Sequence, residues 1–274
     1  MIRKHLERHI RLIEGQDNSA ANMKRNQAQG EMQKAEKAME ELSEFHKYVS
    51  TQWATPESRL LGHVILSPPI GFGFGSEGYT HDWALVEIDT SKVNANNFDG
   101  NAIDLGTHIS CKDSALSMNL HCTTPHPFRC PNDHLLRIKG TISDGEMRKP
   151  SGRDQTHEPC IMVIKRGITT GLAVGRANNI LSFVRNPDYF DDDTDDNAKT
   201  SQEWAILPRN FKSGAFSEKG DSGSIIVDGR GRAGGLLTGG SAGLTLSTDI
   251  TYAMPIDSLL KRMQELGVHS PCIL

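Results

Sequence analysis

From Trp53 onward the chain is cut into apolar runs of a few residues, each closed by glycine, proline, aspartate or asparagine. His63-Val-Ile-Leu66 stops at Pro68-Pro69, and Trp83-Ala-Leu-Val-Glu-Ile88 follows a glycine-rich loop. Further runs are Cys160–Ile164, Gly171–Gly175, Ile180–Val184, Trp204–Leu207, Ser224–Val227, Gly234–Leu237 and Tyr252–Met254. Runs this short cannot bury a helix face, whereas each suffices for one strand, so the pattern predicts antiparallel β-structure. The 26 glycines and 12 prolines supply the turns that such a fold consumes.

Residues 1–50 follow a different rule. Met32, Ala35, Met39, Leu42, Phe45 and Val49 recur at steps of three and four, which predicts one helix with an apolar stripe. A shorter helix is expected from about Ile2 to Glu14, making a hairpin or coiled-coil-like segment capable of helix-mediated self-association. A last helix is expected from Asp257 to Leu266, stopped at Gly267. The acidic run Asp191-Asp-Asp-Thr-Asp-Asp196 reads as a mobile loop. The chain thus divides into a helical segment at 1–50, a β-region at 51–150 and a second β-region with the terminal helix at 151–274.

Bulk properties narrow the function. A net charge of −4 argues against nucleic acid as a partner. No stretch has the roughly 18 apolar residues of a membrane helix. The start, Met-Ile-Arg-Lys-His-Leu-Glu-Arg, is not that of a signal peptide. The five cysteines form no regular framework and no Asn-x-Ser/Thr sequon occurs, so an intracellular, cytoplasmic setting is expected. Cys111, Cys122, His126, Cys130 and His134 are all metal-ligand types, but no short Cys-x-x-Cys knuckle joins them. The expectation is an irregular surface insertion, with no metal and no cofactor.

Chemistry concentrates at Gly220-Asp221-Ser222-Gly223-Ser224. A serine hydroxyl is a poor nucleophile; it needs a base, a carboxylate to orient that base, and N–H groups for the oxyanion. Gly220 can turn its N–H inward beside that of Ser222, giving an oxyanion hole. Gly223 leaves room for a substrate, and Asp221 is expected to be a buried ion-pair or hydrogen-bond partner. Taken alone the segment is equally a turn. Its surroundings favour the nucleophile: a strand, a tight turn at Asp228-Gly-Arg-Gly231, the strand Gly234-Gly-Leu-Leu-Thr-Gly-Gly240, then Tyr252-Ala-Met-Pro-Ile256 and a helix.

That order resembles the second barrel of the chymotrypsin-like (trypsin-like) serine peptidases across residues 155–266. His81-Asp82-Trp83-Ala84-Leu85-Val86 looks like the motif that carries the triad aspartate in this fold. A closer resemblance, over residues 30–266, is to fungal proteins with a trypsin-like peptidase domain. It rests on Leu61-Gly-His-Val64, Ser67-Pro-Pro-Ile70, Asp82–Glu87, Ile103-Asp-Leu-Gly106, Glu158-Pro-Cys-Ile161, Thr169-Thr-Gly171, Gly175-Arg-Ala177 and Gly234–Gly239. The resemblance implies a mainly β, chymotrypsin-like double β-barrel whose first barrel is incomplete. It implies Ser222 as nucleophile, Asp82 as orienting carboxylate, and Gly220 and Ser222 as oxyanion donors. Phe216 would lie at the base of the specificity pocket, and Leu237, Thr238 and Gly239 along the substrate.

The base is missing from this pattern. Ahead of Asp82 stand His5, His9, His46, His63 and His81, and none sits in the small-residue Thr-Ala-x-His context that the family uses. Members of the fungal group that are longer carry that motif ahead of the helical region in which this chain begins. The expectation is a serine endopeptidase-like protein, inactive or weakly active as it stands, with a peptide or protein as substrate or ligand. The alternative is a catalytically dead protease fold used as a binding module.

Overall fold

The computed structural model describes residues 19–271, apart from 76, 95, 97, 99, 108, 120–127, 155, 186–199, 211 and 242–248. The expected helix at 2–14 and the acidic run at 191–196 therefore lie outside the described residues. Helix α1 (Ser19–Gln52) opens the described chain. Strands β1 (Gly62–Leu66), β2 (Gly71–Phe74), β3 (Tyr79–His81), β4 (Leu85–Ile88) and β5 (Ala102–Asp104) follow, then helix α2 (Cys111–Met118), β6 (Leu135–Arg137) and the short α3 (Asp144–Arg148). The rest is β7 (Cys160–Gly167), β8 (Gly171–Arg185), β9 (Thr200–Pro208), β10 (Ile225–Asp228), β11 (Ala233–Gly240), β12 (Thr251–Pro255) and α4 (Ile256–Glu265).

Contacts divide the chain into two compact units, one of residues 1–63 with 87–92, the other of 64–86 with 93–274. In the first, α1 is a single 34-residue helix. The apolar stripe falls where its spacing predicted, but Met39, Leu42 and Phe45 are exposed. Gly62 is pressed onto Glu87, whose carbonyl oxygen would lie 2.0 Å from an added methyl.

The second unit is built on a closed barrel. Its strands pair in the order β12-β11-β10-β7-β8-β9, and β12 returns to β9 through Thr251↔Ile206, Tyr252↔Ala205 and Ala253↔Trp204. Closure removes the free edges that six separate strands would present to other chains. The hairpin of β2 and β3 extends the sheet beyond β9, and β5 pairs with β6 in a two-stranded sheet. No second closed barrel occurs among the described residues, in keeping with a mainly β fold whose first barrel is incomplete.

The runs at 171–175 and 180–184 form one strand, β8, rather than two. A register shift between Ala177 and Leu181 absorbs the polar pair that looked like a turn, and Asn178 Oδ1 accepts the Ile180 N–H at 3.0 Å. The predicted turn at Asp228–Gly231 is present: Asp228 Oδ1 accepts the N–H groups of Arg230 and Arg232, each at 2.9 Å, and Gly231 has φ +81°. Helix α4 ends beside Gly267 at φ +88°.

Trp204 packs inside the barrel with Val163, Ile206, Phe216, Ile226, Leu237 and Ala253. Two glycines of β11 make room for its ring. A methyl on Gly234 would come within 2.7 Å of Trp204 Cη2 and Cζ3. Overpacking a tight core costs about 1–3 kcal/mol. Gly234→Ala is therefore expected to lower the urea midpoint, followed by tryptophan fluorescence, by a corresponding amount. An unchanged midpoint would show that the ring has slack.

Candidate functional site

The Ser222 loop leaves β9 after Pro208 and enters β10 at Ile225. Its conformation is set from beneath by Asp221, which is buried. Oδ2 of Asp221 accepts from Lys165 Nζ at 2.5 Å, Thr170 Oγ1 at 2.6 Å and the Glu218 N–H at 3.1 Å. Oδ1 accepts the N–H groups of Thr169 at 2.8 Å and Thr170 at 3.3 Å. Lys165 Nζ also bonds Thr170 Oγ1. Burial alone would raise the Asp221 pKa, but the Lys165 ammonium, the Thr170 hydroxyl and the Thr169 and Glu218 amides outweigh it and hold the carboxyl well below the usual carboxylate range.

Two glycines permit this clamp. A methyl on Gly167 would fall 2.2 Å from Asp221 Oδ1 and 2.7 Å from Lys165 Nζ. Gly220 has φ +104°, and a methyl there would strike Thr169 Oγ1 at 2.6 Å. Thr169 Oγ1 in turn donates to the Lys219 carbonyl at 3.0 Å. From the other side, β11 fixes the loop: the Gly223 N–H reaches the Leu237 carbonyl at 2.8 Å, and the Leu237 N–H reaches the Ser224 carbonyl at 3.0 Å.

This frame leaves Ser222 exposed at the turn. Among the described residues, neither its hydroxyl nor its N–H nor the Gly220 N–H has a hydrogen-bond partner. These two N–H groups are the ones expected for the oxyanion. Beside them opens a cleft of about 520 Å³, walled by Ala102, Ile103 and Asp104 of β5, by Arg166, Gly167 and Ile168, and by Gly220 and Ser222–Ile225. Arg166 donates to the Asp104 carbonyl at 2.8 Å.

The other residues singled out in the sequence fall as follows. Asp82 is exposed, just past the end of β3, has no hydrogen bond or ion pair among the described residues, and is not on the cleft wall. Phe216 is buried in the barrel core, with its ring centroid 5.9 Å from Lys165 Nζ, and does not line the cleft. Leu237 is buried, while Thr238 and Gly239 are half-buried on β11. Thr238 Oγ1 points at Glu203 Oε2 (3.3 Å) and the Tyr252 carbonyl (3.2 Å).

No described histidine lines the cleft. His46 lies on the exposed α1, and His63 in the first unit is exposed, 3.3 Å from Glu87. His81 is buried, and burial lowers its pKa. His5 and His9 lie outside the described residues.

Sequence reasoning missed Lys165 and Glu203. Lys165 lies just beyond the run Cys160–Ile164 and was not singled out. The available signal was the alternation through β7, which carries residue 165 to the inside. Glu203 is buried on β9, accepting from Thr80 and from Ser201 at 2.9 Å, and burial raises its pKa. Of the cysteines, Cys111 and Cys130 are disulfide-bonded with a Cα–Cα distance of 5.3 Å, a pairing absent from the sequence expectation. Cys160 is a buried thiol whose pKa burial pushes up to about 11.

No family model matches the chain, and no curated protein matches it. Among solved structures the chain is similar to a Nocardiopsis protease, at 20% identity and a TM-score of 0.32, over 47% of this chain and 53% of that one. It is similar to a glutamic acid-specific serine protease at 14% identity and a TM-score of 0.37, over 68% and 69%. It is also similar to a Cellulomonas bogoriensis chymotrypsin at 17% identity and a TM-score of 0.35, over 74% and 87%. The chain spans about half the length of the Nocardiopsis protease. No helix among the described residues is long and apolar enough to cross a membrane.

Removing one partner of a buried ion pair strands the other, at about 3–5 kcal/mol. Lys165→Met is therefore expected to destabilise by that order at neutral pH. The sign with pH follows from linkage. Asp221 has a folded pKa lowered from 3.8, so its contribution is present above that value and is lost only as pH falls through the depressed one. In Lys165→Met the loss should begin at higher pH. Denaturant melts of both chains across the acid range check this; parallel curves would contradict it.

Proposed function

We propose that the chain is a serine endopeptidase-like protein in which Ser222 is the nucleophile and the Gly220 and Ser222 N–H groups receive the oxyanion. A peptide would lie in the cleft between β5 and the Ser222 loop, with Thr238 and Gly239 of β11 at its edge. The observation that carries this reading is the Asp221 cage: five donors, one of them the buried Lys165 ammonium, hold one loop so that two N–H groups and one hydroxyl stay unspent beside an open cleft. A mere turn has no need of so costly a support.

Asp82 is the carboxylate that the sequence motif assigns to a histidine. No described histidine lines the cleft; with none there, the Ser222 proton has no acceptor except water, and attack on a peptide carbonyl is slow. Oxyanion and binding effects alone leave roughly 10³–10⁴-fold over the uncatalysed reaction. A second reading, a catalytically silent peptide-binding module, is favoured by the same unpaired Ser222 hydroxyl. The two differ in whether acyl transfer occurs at all.

Hydrolysis of a fluorogenic peptide library, with and without Ser222→Ala, together with a fluorophosphonate label, separates them. Weak turnover and slow labelling, both lost in Ser222→Ala, support the peptidase reading. Peptide binding with neither supports the module. Robust turnover that vanished in Ser222→Ala would overturn the claim that the base is missing.

A further inference from the structure

We propose that Cys111, Cys130 and His134 form a zinc-binding site, open to metal when the Cys111–Cys130 disulfide is reduced. The three residues supply ligand atoms that lie within 4.8 Å of one another. They come from separate local structures. Cys111 is the first residue of α2, capped by Ser110, whose hydroxyl accepts the Asp113 N–H at 3.1 Å. Cys130 and His134 flank the turn Pro131-Asn132-Asp133, closed by the His134 N–H on the Pro131 carbonyl at 3.0 Å.

His134 carries two marks of its own. Its backbone is left-handed, with φ +58°, a conformation uncommon for a residue with a side chain. Its Nδ1 is buried and has no hydrogen-bond partner. One imidazole nitrogen of His134 lies near the two sulfurs, and its buried Nδ1 has no competing hydrogen-bond partner, the arrangement a metal ligand needs. The backbone is pinned on both sides, since the His134 carbonyl accepts the Leu105 N–H at 2.8 Å.

The donor set chooses the metal. Two thiolates and one imidazole suit zinc, and three protein ligands leave a fourth position for water. Tetrahedral bonds of about 2.3 Å to zinc set the two sulfurs roughly 3.8 Å apart, so the bonded and the metallated arrangements exclude each other. The chemistry runs in two steps. Two equivalents of a low-molecular-weight thiol reduce the disulfide to two cysteine thiols and are themselves oxidised to one disulfide. Zinc then displaces the two thiol protons and takes the neutral imidazole. Cys122 and His126 lie outside the described residues.

The test titrates the full chain with Co²⁺ and then Zn²⁺, before and after anaerobic reduction and removal of the reductant. The expected result is one Co²⁺ per reduced chain with near-ultraviolet thiolate charge-transfer bands, bleached by Zn²⁺, and no such bands in the oxidised chain. Cys111→Ser and Cys130→Ser should each lose the bands or weaken binding by about tenfold or more, as should His134→Gln, while Cys122→Ser with His126→Gln should titrate like the parent. The proposal is overturned by a reduced chain without thiolate bands, by bands of parental intensity at parental affinity in either serine variant, or by an unchanged His134→Gln titration. The comparison of oxidised and reduced parent chain decides the matter even where a variant does not fold.

Discussion

A lysine with no exposed side-chain surface survives only if its charge is met, and Lys165 is met by Asp221 at 2.5 Å. The rest of the second unit is arranged around that requirement. β7 carries the lysine inward from an apolar run, Gly167 lets the carboxylate approach, and the 169–170 turn adds two amides and a hydroxyl. Phe216 lies alongside the ammonium as part of the same packing. A buried pair of this kind is seldom a source of net stability. What it fixes is the path of residues 218–224, in one conformation.

The consequence for chemistry is a division between what is preformed and what is missing. Electrostatic stabilisation of an oxyanion depends on donors that are already oriented and unspent. The Gly220 and Ser222 N–H groups are unspent among the described residues, and the positive φ at Gly220 is the price in residue choice. General-base assistance needs a histidine within hydrogen-bond reach, and no described histidine reaches the cleft. In the proposed reading, the described barrel supplies the part of such a site that comes from backbone geometry, and no described histidine supplies the rest.

How much of this was legible in the sequence depended on whether the signal was local. The Ser222 loop, the Asp228–Gly231 turn and the final helix are written in contiguous residues, and each was read from them. So was α1, although its periodicity tells only that a face exists, and Met39, Leu42 and Phe45 prove exposed. β8 was misread as two strands because Asn178-Asn179 resembles a turn; a bulge carries the chain through it instead. The partners of Lys165, Glu203 and Cys111 were not readable, since Asp221, Thr80 and Cys130 are distant in sequence, although the alternation through β7 did carry residue 165 inward. Phe216 shows the same limit: its offset from Ser222 suggested a pocket, and packing around Gly175 and Lys165 places it in the core.

The most direct test of the preformed oxyanion loop is a crystal structure of the chain with a peptidyl boronic acid. The expected result is a tetrahedral boron on Ser222 Oγ, with one boron-bound oxygen within hydrogen-bond distance of both the Gly220 and Ser222 N–H groups, and Asp221 still paired with Lys165. A boronate bound elsewhere, or a Gly220 N–H turned away from that oxygen, would contradict the account.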